Sequence, residues 1–335
     1  MDCGWTDSLG LALMGHGLPG RATEWARAAE RSGVGSVWIM EDYFRPGAYA
    51  VAAAAAAVSV RGVIGLGVVN PYTRHPAVVA METATLAAIA PGRVVLGLGS
   101  SNRHWIEHQM GIPFKTPLRG LRESVEIVRR LLNGERVTYA GELFAVNDVK
   151  LEAPPPSRVP IMLGVKGPRA LALAAEIADG VHCSILASPA HVRRVRATTA
   201  GARGDFKVIA YIPVAVSDDG ARARQWMRPL VAHYLGLLHG QSILEDAGIA
   251  AARSQPFREA FITGRAAATD LVTNDLLDAV AIAGTPAECR SALERWAEAG
   301  LDAVIAVVPE AGDLAVQIER IGRELSPAWR QLRCR

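Results

Sequence analysis

An alternation of short apolar runs with longer amphipathic stretches is sustained along most of this chain, and it constrains the fold more than any other feature. The apolar runs lie at residues 9–14, 36–40, 63–69, 94–98, 161–164, 180–185, 207–216 and 303–308. Helical patterns at 22–32, 77–89, 118–132, 168–178 and 286–299 fall between them. Such βα order joins neighbouring strands in parallel through helical crossovers, and about eight of them close a barrel. The expected class is therefore α/β, a (β/α)8 TIM barrel with insertions.

Two stretches interrupt the rhythm. Residues 137–151, with turn chemistry at Ala140-Gly141 and a stop at Pro154-Pro155-Pro156, read as a short hairpin before the fifth strand. Residues 218–284 are too long for one crossover and carry apolar helical patterns at 226–238 and 270–282. A helical cap inserted between strands seven and eight is expected there. With 335 residues, half of them hydrophobic, residues 1–335 fit one large domain.

A net charge of +3, with Lys and Arg spread along the sequence, argues against a nucleic-acid binder. Cys3, Cys183, Cys289 and Cys334 are far apart and show no paired metal-ligand spacing, so a reduced cytoplasmic protein is expected. No charged leader with an apolar core opens the chain. The alanine-rich run at 48–60 is too short to cross a bilayer and reads as a tightly packed helix, so no membrane partner is expected.

Three constellations carry chemistry. Gly15-His16-Gly17-Leu18-Pro19-Gly20 matches a dinucleotide fingerprint, with Glu41 and Asp42 roughly twenty residues on. Yet Pro19 sits where a pyrophosphate-binding helix would open, and the βα units continue without a second-domain break; a glycine-rich barrel loop is the better reading. His104-Trp105-Ile106-Glu107-His108 matches an inverted zinc-protease pattern, but no third ligand stands out and no metal is expected. The third constellation is spread over strand ends, where a barrel gathers its active site: Glu41-Asp42-Tyr43-Phe44, Asn70-Pro71-Tyr72-Thr73, Gly99-Ser100-Ser101-Asn102-Arg103 and Gly164-Val165-Lys166-Gly167-Pro168. Lys166 and Gly167 stand at an expected helix start, where free N–H groups and the macrodipole favour an anion.

The run Gly65-Leu66-Gly67-Val68-Val69-Asn70-Pro71-Tyr72-Thr73-Arg74-His75-Pro76 takes an apolar strand into a polar corner, with glycines that let backbone lie against a flat ring. Together with residues 97–102, 119–130 and 161–180, it resembles the luciferase-like oxidoreductases over roughly residues 8–200. The likeness is to their deazaflavin (coenzyme F420)-dependent branch, that of the methylenetetrahydromethanopterin reductases. The resemblance implies a tricyclic ring in the barrel mouth, backed by a bulge in strand three with a cis Gly67-Val68 bond. Asp42, Val68, Asn70 and Asn102 would contact the ring, with Gly67, Gly99 and Ser100 beside them. Gly164, Val165, Lys166 and Gly167 would hold the phosphate of the tail.

Dehydrogenases of this group place histidine after the aspartate and glutamate in the strand-four loop, where this chain has Tyr43 and Asn102. Asparagine takes no proton at neutral pH, which favours a reductase acting on an imine, iminium or activated alkene. In that reading Asp42 or Glu41 stabilises developing positive charge, and Tyr43 or His104 protonates the product. Two alternatives share the fold: a monooxygenase using flavin mononucleotide (FMN), and a non-catalytic ligand-binding barrel. A small-molecule substrate shaped by cap residues Trp226, His233, Tyr234, Arg253 and Arg258, and a homodimer, complete the expectations.

Overall fold

A computed structural model describes residues 5–14, 19–42, 44–264, 268–311 and 313–334. Residues 15–18 of the glycine-rich motif, Tyr43 and Cys3 lie outside the described residues.

In chain order the strands are β1 (Gly10–Leu13), β2 (Ser36–Ile39), β3 (Val63–Val69), β4 (Val94–Leu98), β5 (Val137–Ala140), β6 (Ala145–Val149), β7 (Ile161–Leu163), β8 (Gly180–Cys183), β9 (Lys207–Val216), β10 (Ile282–Gly284) and β11 (Ala303–Val307). Parallel pairing runs β1-β2-β3-β4-β7-β8-β9-β11 and returns to β1, which closes the barrel. All eight barrel strands fall on the apolar runs. Their residues are buried almost without exception, as expected of strands covered on both faces. Inside the barrel Trp38 lies against Gly65: a Cβ there would come within 2.3 Å of the indole ring.

The helices are α1 (Ala22–Ser32), α2 (Ala48–Val58), α3 (Pro76–Ile89), α4 (Pro117–Leu132), α5 (Pro168–Ile177), α6 (Pro189–Thr198), α7 (Gly220–Leu237), α8 (Ser242–Asp246), α9 (Ala251–Thr263), α10 (Asn274–Val280), α11 (Pro286–Glu298), α12 (Leu314–Arg320) and α13 (Ser326–Arg333). Among the described residues, no helix is long and apolar enough to cross a membrane. β5 and β6 form the antiparallel hairpin expected before the fifth barrel strand. Buried Glu123 on α4 clamps its turn by accepting the N–H groups of Glu142, Leu143 and Phe144 at 2.8, 3.0 and 3.0 Å.

Helices α7 to α10 build the cap between the seventh and eighth barrel strands. One detail differs from the sequence reading. The expected helical pattern at 270–282 divides into a 3-10 turn, α10 and the three-residue β10, which pairs with Val214–Val216 at the overhanging end of β9. β9 extends past its barrel partners, and its exposed edge recruits the end of the cap as a strand.

Candidate active site

The geometry at the mouth begins with a mismatch in register. Leu66 faces Leu96 and Val69 faces Leu98, so β3 spends three residues where β4 spends two. The extra residue forms a bulge, and the Gly67-Val68 bond within it is cis, as the resemblance implied. Val68 lies half-buried against a wall of glycines. A Cβ at Gly97, Gly99 or Gly164 would meet its methyl groups at 2.9, 2.5 and 2.9 Å. Gly97 of β4, Gly99 just after it and Gly164 of the loop after β7 leave room for the bulge, which forms a backbone platform at the mouth.

Hydrogen bonds join the loops around this platform. Gly99 N–H donates to Val69 at 3.0 Å and Gly164 N–H to Leu98 at 2.8 Å. Asn70 is buried, its Nδ2 donating to the Ser100 carbonyl at 3.2 Å and its Oδ1 accepting the Tyr72 N–H at 2.6 Å. Asn70 therefore stitches the corner after β3 to the loop after β4. Below the bulge, the Tyr211 hydroxyl donates to the Gly67 carbonyl at 2.7 Å. His182 packs against Tyr211 and Trp38 with ring centroids 4.2 and 4.8 Å apart. Burial pushes its pKa down to about 3, so the ring is neutral, and neither nitrogen has a hydrogen-bond partner among the described residues.

The supporting pair of His182 and Tyr211 was missed by sequence reasoning. The available signal was a polar side chain interrupting the apolar run in each of two strands, GVHC and KVIAYIPVAV.

The residues expected after β2 have different fates. Asp42 lies in the mouth, where burial raises its pKa against the opposing charges of Arg45 and His233. Its carboxylate is 3.9 Å from Arg45 Nε. Tyr234 of α7 is buried and carries a raised pKa, caused by that burial and then by the charge of Asp42. His233 senses Asp42 as well, so the cap contributes two groups to this side of the mouth. Glu41, in contrast, is held by Arg74 Nη1 at 2.6 and 2.7 Å, with only 7% of its side chain exposed. Glu41, expected beside Asp42 in the chemistry, is thus part of an ion pair between loops.

On the strand-four side, Gly99 is buried and Ser100 half-buried, whereas Asn102 and His104 are exposed. Asn102 Oδ1 caps the π-helical turn His104–Gln109 by accepting the Trp105 N–H at 3.0 Å. The His104 and His108 rings lie 6.2 Å apart, and Glu107 is bound by Arg103. No group of three or more His, Cys, Asp or Glu suited to a metal occurs among the described residues. Of the remaining cap candidates, Trp226 carries Arg222 over its ring, Arg258 lies over Phe261, and Arg253 pairs with Asp275 at the surface.

After β7, Val165 is buried and Gly167 forms the N-cap of α5 in extended conformation, with no side chain capping the helix. Lys166 Nζ donates to Gln241 Oε1 at 2.7 Å. Burial draws its pKa down to about 8, and among the described residues no carboxylate pairs with it. Nearby, Asp246 of α8 lies 2.6 Å from His191 Nδ1 and 2.9 Å from Arg194 Nε. A half-buried cation with a neutral partner, beside a helix start that no described side chain caps, suits an anion.

Comparison with known proteins gives this arrangement a family. The family described as luciferase-like monooxygenase matches residues 3–303. The 5,10-methylenetetrahydromethanopterin reductase of Archaeoglobus fulgidus is 32% identical over 319 residues, covering 90% of this chain and 94% of its own length. An F420-dependent glucose-6-phosphate dehydrogenase of Nakamurella multipartita is 37% identical over 175 residues, 48% of this chain. Among solved structures, the coenzyme F420-dependent tetrahydromethanopterin reductase of Methanopyrus kandleri superposes with a TM-score of 0.87 at 27% identity, covering 96% of this chain and 99% of that one. The chain belongs to the luciferase-like monooxygenase family.

Proposed function

We propose that this protein is an F420-dependent oxidoreductase working as a reductase on an imine, iminium or activated alkene of a small-molecule substrate. The observation that carries the reading is the bulged platform at Val68, for which three glycines, Gly97, Gly99 and Gly164, make room. The donor set fits the cofactor. Gly67, Val68, Asn70, Gly99 and Ser100 would back the deazaflavin ring, while Lys166, Gly164, Val165 and the N-terminus of α5 at Gly167 would hold its phosphate. Asn102 would border the ring at the outer rim.

When bound, reduced F420 supplies a hydride; the protein supplies position and electrostatics. Asp42, desolvated on the neighbouring loop after β2, stabilises positive charge on the substrate carbon or nitrogen that is reduced. Asn70 is fixed at both ends of its amide and holds the corner rigid. Asn102 lacks the basicity to accept a proton from an alcohol, which supports the reductive direction. Tyr43 and His104 remain the proposed proton donors to product. The 1–335 chain acts as one unit, and two copies associate through the outward faces of α2 and α3.

Fluorescence titration of the purified protein with F420 tests the cofactor, with FMN in parallel. Saturable F420 binding without oxygen uptake is expected. Rapid oxygen consumption with reduced FMN and no F420 binding would establish the monooxygenase instead, and failure to bind either would leave a non-catalytic barrel.

A further inference from the structure

We propose that Arg74 is a positioning residue that sets the relation between the two mouth loops carrying Asp42 and Asn70. Its guanidinium joins four segments belonging to two consecutive βα units. Nη1 donates to both oxygens of Glu41, at 2.6 and 2.7 Å, on the loop after β2. Nε lies 3.1 Å from Glu82 Oε2 on α3. Cζ stands 5.5 Å from the centre of the Tyr49 ring on α2, and the Tyr49 hydroxyl is 2.9 Å from Thr83 Oγ1. The main chain of Arg74 is fixed as well, its N–H reaching the Asn70 carbonyl at 3.3 Å.

Position follows from connectivity. Glu41 directly precedes Asp42, so holding the Glu41 carboxylate fixes the backbone from which Asp42 projects. Asn70 lies four residues before Arg74, in the corner that the same N–H bond closes. Asp42 itself has a long ion pair with Arg45 of its own loop, which ties it to nothing across the mouth. Substrate charge and cofactor ring meet between these two loops in the reading above. A change in their separation therefore reaches the reacting groups although Arg74 touches neither.

The chemistry requires arginine. One cation faces two carboxylates, and burial already pushes the Glu82 pKa up. A lysine ammonium keeps the charge but lacks the planar fork that spans Glu41, Glu82 and the Tyr49 face together. Truncating Arg74 alone would leave the carboxylates of Glu41 and Glu82 unpaired, a destabilising change in its own right. The double variant E41Q/R74M removes the carboxylate held by Nη1 together with the cation, and so leaves one carboxylate, Glu82, which burial already shifts toward its neutral form.

The experiment compares wild type, R74K, E41Q/R74M and E82Q by melting temperature, by F420 affinity from fluorescence, and by hydrogen exchange without cofactor over residues 38–46 and 67–75. R74K and E41Q/R74M are expected to melt within about 3 °C of wild type. They should nevertheless bind F420 roughly tenfold more weakly and exchange faster in both segments. E82Q should match wild type in affinity and exchange. Wild-type affinity and protection in R74K and E41Q/R74M would overturn the proposal. So would an E82Q loss equal to that of R74K, because Arg74 would then be stapling helices. The affinity arm rests on the F420 reading, whereas the exchange arm does not. A wild-type protein that binds no F420 overturns that reading alone, and exchange then decides the role of Arg74.

Discussion

Lys166 and Asp42 are charged side chains whose burial opposes their charge, and their consequences differ with pH. The Lys166 pKa is drawn to about 8, below the ordinary lysine value of 10.5. Between those two values the unfolded chain holds more protons than the folded one. The cost of burying this cation is thus full below about pH 8 and is relieved as pH rises through the window. Anion binding has the opposite dependence, since only the protonated amine attracts phosphate. F420 affinity is expected to be highest below pH 8 and to fall above it. In Lys166→Met the affinity should drop about ten- to a hundred-fold, as for a lost charge-assisted hydrogen bond, and become flat with pH. A titration showing the same slope in wild type and variant would refute the assignment. For Asp42, desolvation raises the pKa, so its charge is lost at a higher pH than for a free aspartate. Replacing it with Asn should lower kcat by roughly a hundred-fold or more while leaving the melting temperature near that of wild type.

The bulge of β3 and the glycines facing it form one element, and the glycines are not interchangeable. At Gly99 a Cβ would lie 2.5 Å from Val68 Cγ2, and at Gly97 it would lie 2.3 Å from the Leu66 carbonyl oxygen. At Gly201, in the loop between α6 and β9, nothing lies within 4 Å. Gly99→Ala should displace Val68, cost about 1–3 kcal/mol of stability as overpacking does, and weaken F420 binding. Gly201→Ala should change neither; equal effects at both positions, in thermal melts and fluorescence titrations, would show that the platform is not the binding surface. Much of this element was legible in the sequence, because an apolar run with two glycines ahead of Asn-Pro carries its geometry locally. The residues beneath it were not, since His182 and Tyr211 reach Gly67 only through barrel closure. Glu41 and Asp42 are neighbours with the same chemistry, and only the distant Arg74 separates an ion-pair residue from one facing the mouth. β10 escaped notice for a similar reason: three residues become a strand because β9 overhangs.

At the scale of the molecule, the helices around the barrel divide into two kinds. α1 and α4 have distinct polar faces, with acidic or basic residues in their terminal turns, as suits helices against water. α2 and α3 do not. α2 is AYAVAAAAAAV, without a charged residue, and α3 leaves Val78, Met81 and Ile89 exposed along one side. The two helices pack against each other, so their outward surfaces form one continuous region. A helix that is apolar all round belongs in an interior, and the barrel covers only half of each. In the proposed dimer a second copy would supply the same apolar surface about a two-fold axis, and a stable interface requires on the order of 1,600 Å² in total. Sedimentation velocity at micromolar concentration should therefore give twice the chain mass of 35.6 kDa. Met81→Glu, which places charge at the centre of the shared surface while facing away from the barrel core, should return the monomer with its secondary structure intact. A wild-type chain that sediments at its own mass would show that α2 and α3 meet something other than their own kind.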